Sequence, residues 1–238
     1  MKKFKLSFLF GIMGVFMGFS NIIMANSNTL TLQQRGIIPI AAFTSTGDLD
    51  NLKIALNEGL DSKLTINEIK EILVHSYAYA GFPRSLNGIN TFIAVLQERE
   101  AKGIKDEIGR EATPVANNID KDAYGEKVRT SLTGTRSSPA YQTFTPAIDT
   151  FLKEHLFADL FMRDNLDYLS RELTTISILS GLGNVNAQLR SHMNITMNLG
   201  ATPEQMNDFI SVLENKVSKE KAQNAQGVLK EVIANRSK

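Results

Sequence analysis

The 238-residue sequence has no cysteine and no tryptophan. Without cysteine there is no disulfide, thiolate nucleophile, thiolate-ligated metal, iron–sulfur cluster or lipidated cysteine. Proline is scarce, at six residues, and no stretch shows the two-residue alternation of a half-buried strand. A net excess of either charge is also lacking. With 26 Lys and Arg against 25 Asp and Glu, the balance calls for neither nucleic acid nor an anionic membrane surface as partner. The three histidines, His75, His155 and His192, have no His-x-His or His-x-x-x-His spacing, and no metal site is expected.

What is present begins with a leader. Met1-Lys-Lys-Phe-Lys5 is basic, and Leu6 to Phe19 is apolar but shorter than the roughly 20 residues of a membrane span. Met24-Ala25-Asn26 resembles a processing step, so residues 1–25 are expected to be a secretory signal cleaved after Ala25. That predicts a periplasmic or secreted protein with no stable membrane insertion. Losing Lys2, Lys3 and Lys5 from 26 basic residues leaves 23 against 25 acids, a slightly acidic working chain.

The remainder reads as successive helices. Thr65-Ile-Asn-Glu68 has capping-box spacing ahead of Ile66, Ile69, Ile72 and Leu73, and Gly81-Phe-Pro83 marks that helix's end. A second helix is predicted from Arg84 to about Lys102, with Leu86, Ile89, Phe92, Ile93 and Leu96 on one face. Between Gly103 and Pro146 the Gly, Ser, Thr and Pro content predicts a long connection with one short helix near Lys121 to Leu132. Helices follow over Leu169 to Leu182 and Ala187 to Leu199, and Thr202-Pro203-Glu204-Gln205 starts another. Lys216 to Lys238 is helical and very polar, a solvated or partner-contact helix. Glu68 and Glu172 each open a helix that is followed by a Gly-containing break and a second helix. An offset of 103 to 104 then pairs the two segments as copies.

Three blocks resemble a known family. Tyr77-Ala-Tyr-Ala-Gly-Phe-Pro-Arg-Ser-Leu-Asn87, Phe151-Leu-Lys-Glu-His-Leu-Phe157, and Arg171-Glu-Leu-Thr-Thr-Ile176 followed by Gln188-Leu-Arg-Ser-His192 are similar to the tandem carboxymuconolactone decarboxylase family, whose superfamily includes alkylhydroperoxidase D. The resemblance implies an all-α fold of duplicated helical units that assembles as a homotrimer or hexamer. It divides the chain into the leader, a first repeat at 26–110, a connecting segment at 111–145 and a second repeat at 146–238. The peroxidase branch uses a Glu, a Cys-x-x-Cys and a following His. Glu172 and His192 match the Glu and the His, while Val185 and Gln188 stand at the two cysteine positions. Thiol peroxidase chemistry is thereby excluded, whereas the decarboxylase branch needs neither thiol nor cofactor.

The expected activity is a cofactor-independent lyase or isomerase acting on a small unsaturated lactone or related carboxylate. His192 moves a proton and Glu172 orients the imidazole. Arg84, Glu68, Gln188 and His155 are candidate substrate-binding residues, Arg84 for a substrate carboxylate. For Arg84 a surface or interface salt bridge is an equal alternative, and for Glu68 and His155 capping and packing are the plainer roles. Tyr77 and Tyr79 read as core or pocket wall, and His75 has no assigned role. The alternative is a non-catalytic oligomeric binding protein on the same scaffold.

Overall fold

The computed structural model describes residues 28–116, 118–136 and 139–236, and regular structure among them is helical throughout. The expected leader lies outside the described residues. No helix among them is long and apolar enough to cross a membrane. Thr31, Asp48 and Thr65 cap α1 (Leu32–Thr46), α2 (Leu49–Asp61) and α3 (Ile66–Ala101), each side chain accepting the backbone N–H three residues on. Gly81 interrupts α3 with a φ of 82°, a conformation that a Cβ disfavours, so the Gly-Phe-Pro break falls where the sequence places it. Beyond it the buried face is Ser85, Gly88, Phe92, Val95 and Arg99, rotated from the expected one. Leu86 and Ile93 are about half exposed. The rotation brings Arg99 against Asn57, Asp61 and Asp106.

The connection carries the expected helix as α4 (Lys121–Thr133), followed by the short α5 (Ala140–Phe144) and α6 (Pro146–Thr150). A π-helix spans Phe151–Leu160 and buries Leu156, Phe157 and Leu160 against Val128 and Leu132 of α4. Then come α7 (Tyr168–Leu182), α8 (Asn186–Asn198), α9 (Pro203–Lys216) and α10 (Lys219–Arg236). α10 is not merely a solvated helix. It buries Ala222, Ala225, Val228, Leu229 and Val232, a stripe partly made of alanines and therefore faint in an otherwise polar sequence.

α7 is the central helix, and every residue from Ser170 to Gly181 is buried. Four of its buried hydroxyls are satisfied within the helix. Thr174, Thr175, Ser177 and Ser180 donate to the carbonyl four residues back at 2.6 to 3.1 Å. α1 crosses it closely. A Cβ on Gly181 would lie 2.4 Å from Ser45 Oγ and 2.9 Å from the Ala42 carbonyl oxygen, so only glycine admits this approach. The two main cores also exchange residues. Ile38 of α1 is buried in the cluster of α7 to α10, and Ile178 of α7 in that of α1 to α3. Burying such a side chain is worth about 1.5–3 kcal/mol.

The structural landmarks repeat, but not at the offset predicted from helical pattern. The N-caps Thr31 and Asp167, and the C-caps Gly47 and Gly183, lie 136 positions apart. The capping boxes of Thr65 and Thr202, and the positive-φ residues Lys63 and Gly200, lie 137 apart. So do two hydrogen bonds: Arg99 donates to Asn57 at 3.2 Å and Arg236 to Asn194 at 3.4 Å. Accordingly α1, α2 and the two segments of α3 correspond to α7, α8, α9 and α10. Glu68 and Glu172 are not equivalents. The offset near 104 differs from this one by about nine helical turns, a shift that leaves apolar faces superposed and so looks correct to periodicity alone.

Candidate active site

α7 and α8 form a helical hairpin whose turn passes through Gly183 (φ 70°) and Asn184 (φ 58°). The hairpin brings Glu172 and His192 together, with Oε2 2.7 Å from Nδ1. Glu172 is fully buried, while His192 retains 9% exposure. A carboxylate only accepts, so Nδ1 donates and the bond selects the ring orientation, leaving Nε2 without a protein partner among the described residues. The Tyr79 ring meets that of His192 edge to face at 5.5 Å. Burial, and then the nearby Glu172 charge, hold the Tyr79 phenol well above its ordinary pKa, which makes it wall rather than acid. The Tyr79 hydroxyl and Glu172 Oε1 are both buried without a hydrogen-bond partner.

His192 lines a cavity of about 620 Å³. One wall is a face of α8, where Gln188, Ser191, His192 and Ile195 recur at helical spacing. Ala78 and Tyr79 of α3 form a second wall, and Leu152, Leu156 and Phe157 of the π-helix a third. The connecting segment closes the remainder with Arg129 and Thr133 of α4, Pro139, Tyr141, Gln142 and Ile148. Such size and mostly apolar lining suit a small organic molecule. Among the described residues no group of three or more His, Asp or Glu is arranged to hold a metal ion.

Of the candidate substrate-binding residues, Gln188 lies on the cavity wall and Arg84, Glu68 and His155 do not. Glu68 closes the Thr65 capping box, its Oε2 accepting the Thr65 backbone N–H at 2.8 Å. Arg84 is exposed and packs against Gly47 at the end of α1. His155 bonds the Tyr77 hydroxyl through Nε2 and Asp159 through Nδ1 at 3.0 Å, while Tyr77 stacks on Phe82. Arg190 pairs with Glu231, Nε to Oε2 at 2.9 Å. Val185 packs against the core of α7 to α10. The basic group at the cavity is instead Arg129, a residue that nothing in its local sequence distinguishes.

Behind the site lies a buried polar cluster that sequence reasoning missed. Glu71 and Arg171, both fully buried and 100 positions apart, pair at 3.0 Å, and Arg163 donates to the same carboxylate at 2.8 Å. Arg171 also donates to the Arg163 carbonyl at 2.6 Å and lies 5.7 Å over the Phe161 ring. His75 is locked between Arg171 Nη1, 3.4 Å from its Nδ1, and Thr175 Oγ1, 2.8 Å from its Nε2. With the guanidinium donating, Nδ1 accepts and Nε2 carries the proton. Burial first, then the charges of Arg171 and His192, hold the His75 pKa well below its ordinary value.

The landmark offsets place Gly36 opposite Glu172 and Ala55 opposite His192, so the Glu–His pair is confined to the second set of helices. Space in the first set is filled instead: a Cβ on Gly36 would lie 3.2 Å from a Leu64 methyl and 3.5 Å from Gly59 Cα. No curated protein matches the chain at a significant level. A profile of the carboxymuconolactone decarboxylase family matches it twice, at residues 11–92 and 146–231. The two matches begin 135 positions apart, close to the spacing of the structural landmarks. With both matches together spanning more than half of its length, the chain belongs to the carboxymuconolactone decarboxylase family.

Proposed function

We propose that this protein is a cofactor-independent acid–base enzyme of the carboxymuconolactone decarboxylase type, a lyase or isomerase acting on a small unsaturated lactone or related carbonyl compound. The observation that carries the reading is the 2.7 Å Glu172–His192 bond, buried on its carboxylate side and open to a 620 Å³ cavity through the imidazole. Chemistry of this type creates or consumes a carbanion conjugated with a carbonyl. His192 Nε2 exchanges the proton with substrate carbon, and Glu172 holds the imidazole orientation and balances the imidazolium. A positioned acid or base of this kind is worth about 10² to 10⁴ in rate. Val185 and Gln188 offer no thiolate, so the proton relay ends at substrate rather than at sulfur.

The test is turnover by purified protein of unsaturated lactones with and without a carboxyl group. CO₂ release would identify a lyase. Migration of the double bond in α-angelica lactone, with deuterium uptake from D₂O, would identify an isomerase. Loss of either activity in His192→Ala supports the assignment. Full activity in that variant refutes it.

A further inference from the structure

Arg129 is the only Lys or Arg among the described residues lining the His192 cavity, and its charge is already spent. Nη1 donates to Asp149 Oδ1 at 2.6 Å and Nη2 bonds Glu126. The same carboxylates reach outward: Lys153 lies 3.4 Å from Asp149 and 2.5 Å from Asp122, and Arg136 lies 3.3 Å from Glu126. Three cations therefore meet three carboxylates. The Arg129 side chain is only 12% exposed, so the pairing takes place largely out of water. On the opposite wall any positive charge on His192 is balanced by Glu172 at 2.7 Å. A carboxylate entering this cavity would lose hydration and find no uncompensated cation among the described residues. The remaining lining is dominated by side chains such as Ile148, Leu152, Leu156 and Phe157.

We infer that Asp149 and Glu126 determine the substrate class of this cavity by cancelling the charge of Arg129, and that it takes an uncharged, mostly apolar cyclic carbonyl compound such as an unsaturated lactone. The inference rests on the acid–base reading of His192 and narrows it. A neutral lactone has no carboxylate to release as CO₂, so the reaction becomes a proton shift. His192 Nε2 removes a proton from the carbon beside the carbonyl, and the C–H electron pair passes into the conjugated dienolate. The imidazolium then returns the proton to the far carbon of that system. Atoms, charge and oxidation state balance without a co-reactant.

An NMR titration of purified protein with coumarin and with coumarin-3-carboxylate tests this directly, because the two probes share a lactone skeleton and differ by one charge. Coumarin is expected to bind about tenfold more tightly than the acid. Asp149→Asn and Glu126→Gln each leave positive charge uncompensated and should move the ratio toward the acid by about threefold or more. With two separate positions, the comparison survives if one variant fails to fold. Tighter binding of the acid by the native protein, no binding of coumarin, or a ratio unmoved in the folded variants would overturn the inference. Binding is read without turnover. A failure of the catalytic reading shows separately, as a His192→Ala variant that binds coumarin and loses no activity.

Discussion

His192 and Glu172 are joined across the boundary between cavity and core, the imidazole on the lined wall and the carboxylate wholly enclosed behind it. His192→Ala and Glu172→Gln are each expected to lower kcat by about 10² or more. The double variant should be little worse than the worse single one, because the two residues act as a unit. Kinetics on a turned-over lactone, with helical content checked by circular dichroism, would decide this. Independent, multiplying losses would contradict the relay.

Glu71→Gln removes the carboxylate that compensates the fully buried Arg171 while keeping the shape of the side chain. Leaving a buried charge unpaired typically costs about 3–5 kcal/mol. Urea denaturation should show that loss as a lower midpoint. A change below roughly 1 kcal/mol would mean that the Arg163 carbonyl, which accepts from Arg171 at 2.6 Å, suffices for the guanidinium without the carboxylate.

His75 supplies a pH dependence of stability. Its folded pKa is depressed by burial and then by Arg171 and His192, so the unfolded chain takes up a proton at a pH where the folded chain does not. The contribution is complete above the unfolded value of about 6.5 and declines as pH falls below it, by at most about 1.4 kcal/mol per pH unit. His75→Gln should therefore flatten the melting temperature profile between about pH 7 and 5 relative to the native chain. Parallel profiles would contradict the assignment.

Two glycines provide a matched pair. Gly181→Ala places a Cβ against Ser45 Oγ and the Ala42 carbonyl and should cost about 1–3 kcal/mol. Gly227→Ala adds a Cβ with nothing within 4 Å, inside α10, and should stabilise by about 0.5–1 kcal/mol. Thermal unfolding of both variants would show opposite shifts. A tolerated alanine at 181 would mean that α1 and α7 can part without penalty.

Local chemistry was legible in the sequence wherever the signal lay within a few residues. Thr65 and Glu68 form their capping box, Gly81 breaks α3, and the Glu172 and His192 positions of the family signature come together. What periodicity could not supply was register, since an apolar face superposes on itself after any whole number of turns. Tertiary partners were equally hidden. Glu71 meets Arg171 across 100 positions, and Arg129 reaches the cavity from the short helix of the connecting segment, where no local signal marks it. Arg84 has the local setting of a carboxylate-binding residue and Arg129 does not, yet backbone routing puts Arg129 beside the cavity. The structure also locates the Glu–His pair in one set of helices, a fact concealed while Glu68 stood as the apparent partner of Glu172.

The crossing of α1 and α7 at Ser45 and Gly181 joins corresponding points of the two sets of helices, 136 positions apart. Two separate chains meeting through such a surface would dissociate on dilution. Here the peptide linkage sets an effective local concentration that bulk dilution does not change. α7, which reaches the cavity only through the Glu172 bond to His192, therefore keeps its backing at any protein concentration. The first set, which lacks the Glu–His pair, serves the site from behind, with Tyr79 on the cavity wall and Glu71 against the buried Arg171.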